Sequence, residues 1–228
     1  MRKMKQFIHE KIDLGYDDLD ADTTDTGRVY KTPDGSRYPS ITTVLSLLSR
    51  DAIRAWRKRV GEAEANLISR RASTRGTKVH EIVEQYLDNE YDATKWTPDV
   101  IASLENLKPY LHRIDKIYEQ ECPLYSEHLG VAGRVDCVGI FDGVPSIIDF
   151  KTSKRIKTKD KITNYFMQEA AYAIMWEERT GMPIVNLVTI MDVDNEQPLL
   201  FKEHRDNWTD DLFKAIEAYN HELRTSPP

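Results

Sequence analysis

An Asp-Gly pair at positions 142 and 143 is the strongest local constraint on how this chain can fold. The pair lies between two apolar runs rich in β-branched residues, within residues 133–151. Such a pair between two apolar runs is typical of a hairpin with a two-residue loop. The sequence therefore predicts an antiparallel hairpin in which Phe141 pairs with Val144.

The register of this hairpin brings two carboxyl groups together. Counted from the loop, Asp136 lies opposite Asp149, and the alternation of side chains places Lys151 on the same face as Asp149. Directly opposed residues have Cβ atoms about 4.5–5.5 Å apart, where like charges repel each other. We therefore expect a divalent cation between the two aspartates. Arg134 would lie opposite Lys151, either as a phosphate contact or as a partner for an acidic side chain.

Composition restricts the class of protein. With 228 residues, 40% of them hydrophobic and 31% charged, the chain is long enough for one domain with a substantial core. No apolar run is long enough to cross a membrane, and the first 20 residues resemble neither a signal nor a transit peptide. We therefore expect a cytoplasmic protein without membrane contact. The net charge of -6 argues mildly against a nucleic-acid partner, but the basic residues are unevenly distributed.

The arrangement of the elements predicts an α/β (α+β) fold with a mixed central sheet flanked by helices. Residues 1–27 are acidic and are expected to be a lead-in to a single domain over residues 28–228, with a helical part over about 40–120, a core over about 121–205 and a C-terminal helix over about 208–223. The other expected elements are a hairpin at 28–38 and strands at 124–129, 184–191 and 199–204. Helices are expected at 40–48, from 49 through 60, at 97–119 and at 160–179. A separate long helical stretch after residue 60 is expected to end near residue 89, with an interruption or hinge at 73–76.

Three further patterns agree with a metal and phosphate site. Gly76, His80 and Glu84 are spaced one turn apart on a helix, and an imidazole with a carboxylate can bind a metal such as Mn²⁺. Gln168 and Tyr172 are also one turn apart and can contact a phosphate or Lys151. A basic run over residues 151–161 is either a solvated loop or a contact for the DNA backbone. Taken alone, a histidine on a helix is more often a plain core or surface residue.

Together these residues resemble a known family. In order and spacing they are similar to the motifs of the RecB-like branch of the PD-(D/E)XK nucleases, in particular to the group of the mitochondrial genome maintenance exonuclease and its phage and bacterial relatives. The residues that carry the resemblance are Gly76, His80, Asp136, Asp149, Phe150, Lys151, Gln168 and Tyr172. Residues 38–45, 56–57, 75–77 and 126–127 also resemble that group, so the resemblance spans about residues 28–205.

The resemblance implies a restriction-endonuclease-like core with an N-terminal helical arch, and a metal-dependent DNA exonuclease that prefers single strands with free ends. Mg²⁺ or Mn²⁺ would be held by His80, Asp136, Asp149 and the Phe150 carbonyl, while Lys151 would orient the attacking water and help to deprotonate it. Gln168 and Tyr172 would fix Lys151 and the scissile phosphate. Iron–sulfur relatives need four cysteines, and this chain has only Cys122 and Cys137.

Single-stranded DNA is therefore the expected partner, with replication or recombination proteins as further partners of an enzyme expected to be a monomer. The resemblance also implies the cytoplasm of a bacterium or of a phage-infected cell. The basic residues expected to contact DNA are Arg57, Arg71, Arg75, Arg134, Lys154 and Arg155. Two alternatives stay open. A structure-selective endonuclease would share the active site, and a catalytically silent DNA-binding subunit would share the fold.

Overall fold

The computed structural model describes residues 5–225. Its strands are β1 (Asp20–Thr24), β2 (Gly27–Lys31), β3 (Arg37–Pro39), β4 (Ile114–Ser126), β5 (Val131–Phe141), β6 (Val144–Ser153), β7 (Asn186–Val193) and β8 (Leu199–His204). Its α-helices are α1 (Ile41–Ser46), α2 (Arg50–Val60), α3 (Glu62–Leu87), α4 (Pro98–Leu111), α5 (Thr163–Thr180) and α6 (Asp206–Thr225). None of these helices combines the length and the apolar composition that a bilayer span requires.

A five-stranded sheet with the order β4-β5-β6-β7-β8 forms the centre of the molecule. Only β6 and β7 are parallel to each other, and the other neighbours are antiparallel. One apolar core joins α1, α5 and α6 to one face of the sheet, and a second core joins α3 and α4 to the other face. Consecutive residues of β6 alternate between the two cores, as Ile147 and Ile148 do. The predicted mixed sheet flanked by helices is confirmed.

The hairpin of β5 and β6 has the predicted register near its loop. Phe141 pairs with Val144, and both loop residues have positive φ, 50° at Asp142 and 76° at Gly143, as a type I′ turn requires. The ladder ends at Cys137 and Ile148, one pair before the two aspartates. Beyond that pair β5 follows β4 and β6 follows β7, so the predicted direct opposition of residues 136 and 149, and of 134 and 151, is wrong.

Two helix predictions are also wrong. The helix expected to continue to residue 119 ends at Leu111, and β4 begins at Ile114. Pairing with β5 along almost all of β4 overrides the local helix propensity of this segment. The hinge expected at residues 73–76 is absent from α3, which is continuous from Glu62 to Leu87. A helix tolerates one glycine at a cost of about 1 kcal/mol, so Gly76 does not have to interrupt it.

Residues 5–19 have mostly irregular backbone but are packed against the sheet. Phe7 and Leu19 are buried, and the amide of Ile117 in β4 donates to the carbonyl of Ile8 at 2.8 Å. The segment therefore covers part of an edge strand that would otherwise expose unpaired backbone groups. The start of the domain at residue 28 stays a prediction.

Gly139→Ala tests the close packing between β4 and β5. A Cβ at this position would lie 2.3 Å from the backbone carbonyl oxygen of Lys116, so the backbone would have to move. We expect the free energy of unfolding to fall by about 1–3 kcal/mol in urea titrations. Gly76→Ala is the matched control, because its Cβ would make an ordinary contact of 3.7 Å with Thr152, and alanine favours a helix. Equal loss of stability in both variants would contradict this interpretation.

Candidate functional site

The site lies where β5 and β6 separate. Asp136, in β5, extends its carboxylate towards β6, where Oδ2 accepts a hydrogen bond of 2.8 Å from the backbone N–H of Phe150. The side chain thus satisfies an amide that a continuing ladder would have paired with a backbone carbonyl. Its other oxygen, Oδ1, lies 3.6 Å from Nδ1 of His80. One carboxylate therefore joins the sheet to a residue of α3.

His80 approaches from the face of the sheet that α3 covers. Val79 and Ile82, on either side of it in the chain, are fully packed in the core that contains Ile148. His80 itself is half-buried and borders an open cavity of about 440 Å³, which Glu121 also lines. The histidine is therefore held by its neighbours in the core and is still open to solvent.

Glu121 joins His80 and Asp136 as a third potential metal ligand. Unlike those two, it was not predicted from the sequence. Ligand atoms of His80, Glu121 and Asp136 all lie within 4.8 Å of one another. One imidazole nitrogen and two carboxylate oxygens form a donor set that suits Mn²⁺, and the oxygens alone also suit Mg²⁺. The residues at this position therefore fit a divalent cation.

Glu121 was not predicted as a ligand, because the local pattern indicates a helix up to residue 119 where the structure has β4. In β4, Glu121 lies between the pairs Gln120–Cys137 and Cys122–Val135 and thus opposite Asp136. Its φ of 45° is unusual for a residue other than glycine and is of the kind found at functional sites. Burial, and next the charge of Asp136, raise the pKa of the Glu121 carboxyl to about 7.

Four of the residues expected to be catalytic or to bind metal meet on the face of the sheet that α5 covers, where β5 and β6 begin to separate. They are Asp149, Lys151, Gln168 and Tyr172. Lys151 forms an ion pair with Oδ2 of Asp149, which is fully buried. The side-chain amide of Gln168 donates to Oδ1 of Asp149 at 3.4 Å and to the hydroxyl of Tyr172 at 3.1 Å. The i, i+4 spacing of Gln168 and Tyr172 thus forms one connected network with the strand residues.

The charges of this ion pair follow from its surroundings. Burial alone would lower the pKa of the Lys151 ammonium, but the neighbouring carboxylates of Asp149 and Asp136 outweigh it and the net direction is upward. Burial raises the pKa of Asp149 to about 6, although Lys151 opposes the shift. At neutral pH the pair is therefore ionised, and Lys151 acts as a fixed cation more readily than as a base.

Three of the six basic residues expected to contact DNA are already paired with acidic side chains. These pairs are Arg57 with Glu62, Arg75 with Asp192 at 2.5 Å and Asp194 at 2.8 Å, and Arg134 with Asp18 at 2.6 Å. Of the two alternatives for Arg134, the structure favours the partner for an acidic side chain. Arg71, Lys154 and Arg155 are exposed.

Comparison with known proteins gives structural likeness only. No family model matches the sequence, and no curated protein matches it. The fold is similar to a crystal structure of a protein from Eubacterium rectale that is provisionally named an exonuclease, with a TM-score of 0.45 and 15% identity over 67% of this chain. The match covers 66% of that protein, slightly less than two thirds of its length. The crystal structure of the protein SSO0001 is also similar, with a TM-score of 0.35 and 15% identity, covering 68% of this chain and 73% of that one.

Glu121→Gln tests the electrostatic repulsion within the ligand group. The raised pKa, about 7, means that the folded protein holds this proton more tightly than the unfolded chain does. The wild type should therefore lose stability relative to Glu121→Gln as the pH rises from about 4.5 through about 7. The shift alone corresponds to about 3 kcal/mol, and we expect about 2 kcal/mol at pH 8 because 31% of the side chain is exposed to screening solvent. Urea unfolding in chelator at pH 5 and pH 8 measures the difference. The exposed Glu217→Gln is the control, and an equal pH dependence in both variants would contradict the expectation.

Proposed function

We propose that this protein is a metal-dependent DNA exonuclease that hydrolyses phosphodiester bonds in single strands with free ends. One observation carries the proposal: the buried Asp149–Lys151 ion pair lies beside Asp136 and His80 where two strands of the sheet separate. Each of these residue types has a use in phosphodiester hydrolysis, and their order along the chain is that of the RecB-like motifs. The proposal follows from the site together with that resemblance.

The residues divide into ligands and positioning groups. Asp136, His80 and Glu121 would hold a divalent cation, with Asp149 and the Phe150 carbonyl as further ligands. A bound cation would neutralise charge on the phosphate and lower the pKa of a bound water. Asp136 keeps Oδ1 for this task, because Oδ2 is taken by the Phe150 amide.

Lys151 places a positive charge next to the position of the scissile phosphate. Its ammonium is held by Asp149 and faces the ring of Tyr165, whose centroid is 5.1 Å from Nζ. A preorganised cation of this kind stabilises the charge that develops in the transition state, and it needs no reorganisation at the moment of reaction. Gln168 and Tyr172 keep Asp149 in place from α5.

The preference for single strands rests on the helices that precede the core. No residue of α2 is buried, and residues 66–74 of α3 are exposed, so these helices extend away from the packed body. By resemblance they would form an arch over the site, too narrow for a duplex. Basic residues along them, such as Arg71, would contact the backbone of the strand. Other replication or recombination proteins would be its partners in the cytoplasm.

Cleavage assays test the proposal directly. Single-stranded oligonucleotides labelled at the 5′ or the 3′ end should be shortened in Mg²⁺ or Mn²⁺ and stay intact in chelator. Lys151→Met and Asp149→Asn should lower the rate by about 10²–10³-fold, because each removes a charge that the transition state requires. Circular dichroism spectra of both variants check that they are folded.

Closed circles and duplexes separate the alternatives. An exonuclease leaves closed circular single strands intact, whereas cutting of circles would assign the protein to the structure-selective endonucleases. Binding of DNA without cleavage in either metal would favour a silent binding subunit.

Binding of oligonucleotides tests the basic residues. Because Arg71 and Lys154 are exposed while Arg57 and Arg134 are paired, Arg71→Ala and Lys154→Ala should weaken binding more than the other two alanine variants. Each lost phosphate contact should reduce the slope of log K against log salt by about 0.7. Fluorescence anisotropy at several salt concentrations in Ca²⁺ measures this slope. A larger effect at Arg57 or Arg134 would contradict the assignment.

A further inference from the structure

Glu169 is a fully buried carboxyl group to which the proposed reaction assigns no role. One of its oxygens, Oε1, is hydrogen-bonded to the hydroxyl of Thr189, and the other, Oε2, has no hydrogen-bond partner among residues 5–225. A buried carboxyl oxygen without a hydrogen-bond partner costs free energy that an apolar side chain would not. An acid at this position therefore requires an explanation beyond packing.

The position of Glu169 relates it to the Asp149–Lys151 pair. Tyr165, Gln168 and Glu169 lie at i, i+3 and i+4, so they share one face of α5. The first of them faces Lys151 and the second is hydrogen-bonded to Asp149. The third is bonded to β7 at the residue whose register partner in β6 is Asp149. Glu169, on α5, is thus hydrogen-bonded to the strand next to the one that carries the ion pair, at the level of Asp149.

Electrostatics agree with this placement. Burial lowers the pKa of Lys151, whereas Asp149 and Asp136 raise it. The charge of Glu169 raises the pKa of Lys151 as well, by a smaller amount. Burial, and next Asp149, raise the pKa of Glu169 itself well above its usual value. The two groups are therefore electrostatic neighbours.

The ion pair conflicts with a cation at the same carboxylate. Both oxygens of Asp149 are engaged, one by Gln168 and the other by Lys151. A divalent cation on Asp149 would repel the Lys151 ammonium, because both are positive and both approach the same carboxylate. Lys151 is largely buried, with 17% of its side chain exposed, so it would need another acceptor nearby.

We propose that Glu169 is a positioning residue that accepts the Lys151 ammonium when Asp149 binds a divalent cation. The free oxygen Oε2 is the acceptor, and the bond to Thr189 holds the carboxyl group in place. Lys151 then stays beside the phosphate as a fixed cation while Asp149 is released for the metal. This inference rests on the proposed function, since it requires that a cation binds at this site.

Calorimetric titration with Mn²⁺ tests the inference without reference to turnover. Glu169→Gln should bind Mn²⁺ about 10–100-fold more weakly than the wild type, because Lys151 then keeps its hold on Asp149. In chelator the same variant should melt at or above the temperature of the wild type, because the buried acid is gone. A merely structural role would instead lower the melting temperature in chelator. Glu217→Gln, exposed on α6, is the matched control and should resemble the wild type in both measurements.

The Lys151→Met background separates an action through Lys151 from a direct effect on the cation. Without the ammonium there is nothing for Glu169 to accept, so Glu169→Gln should change Mn²⁺ affinity less than twofold in that background. This non-additivity is the signature of two residues that act as a unit. An equal loss in both backgrounds would assign Glu169 to the cation directly and would overturn the positioning role.

The two proposals fail in different ways. A wild-type protein that neither binds Mn²⁺ nor cleaves DNA would overturn the proposed function and this inference with it. A wild type that binds and cleaves, beside a Glu169→Gln variant within twofold of its affinity, would overturn this inference alone.

Discussion

The hydrogen bond between the Phe150 amide and the Asp136 carboxylate allows β5 and β6 to separate in the middle of a buried sheet. Strands that diverge leave amides without partners, and an unpaired buried amide is costly. Here a side chain replaces the missing backbone acceptor. The resulting gap is reached from both layers of helices, by His80 of α3 and by Gln168 of α5. The rest of the site depends on this local exchange of one acceptor for another.

Three carboxyl groups lie close together at this gap, and the repulsion between their negative charges opposes folding. Glu121 and Asp136 face each other across β4 and β5, and Asp149 is fully buried beside them. Burial, together with the neighbouring carboxylates, raises the pKa values of Glu121 and Asp149. Perturbed carboxyl groups in an accessible cavity are typical of sites that bind a cation or catalyse a reaction. The surrounding apolar cores supply the stability that these groups oppose.

Much of the fold followed from local chemistry. The Asp-Gly loop determined the register of β5 and β6 near the turn, and Ser40 caps α1 by accepting from the Thr43 amide. Gly181 ends α5 with a φ of 71°, and β8 has the predicted bounds. The errors lie in segments such as the start of β4, where pairing with a distant strand decides the structure.

By itself, the sequence determined the class of fold and most of the candidate site, because turn chemistry, side-chain alternation and the i, i+4 spacing act over a few residues. Only the tertiary structure decided that the ladder stops before Asp136, and that Glu121 and Glu169 join the site. It also decided that Arg134 is bound to an acid. These features depend on contacts between segments that are far apart in the chain. The packing of both helical layers on one sheet sets the geometry of these contacts, and local propensity does not encode it.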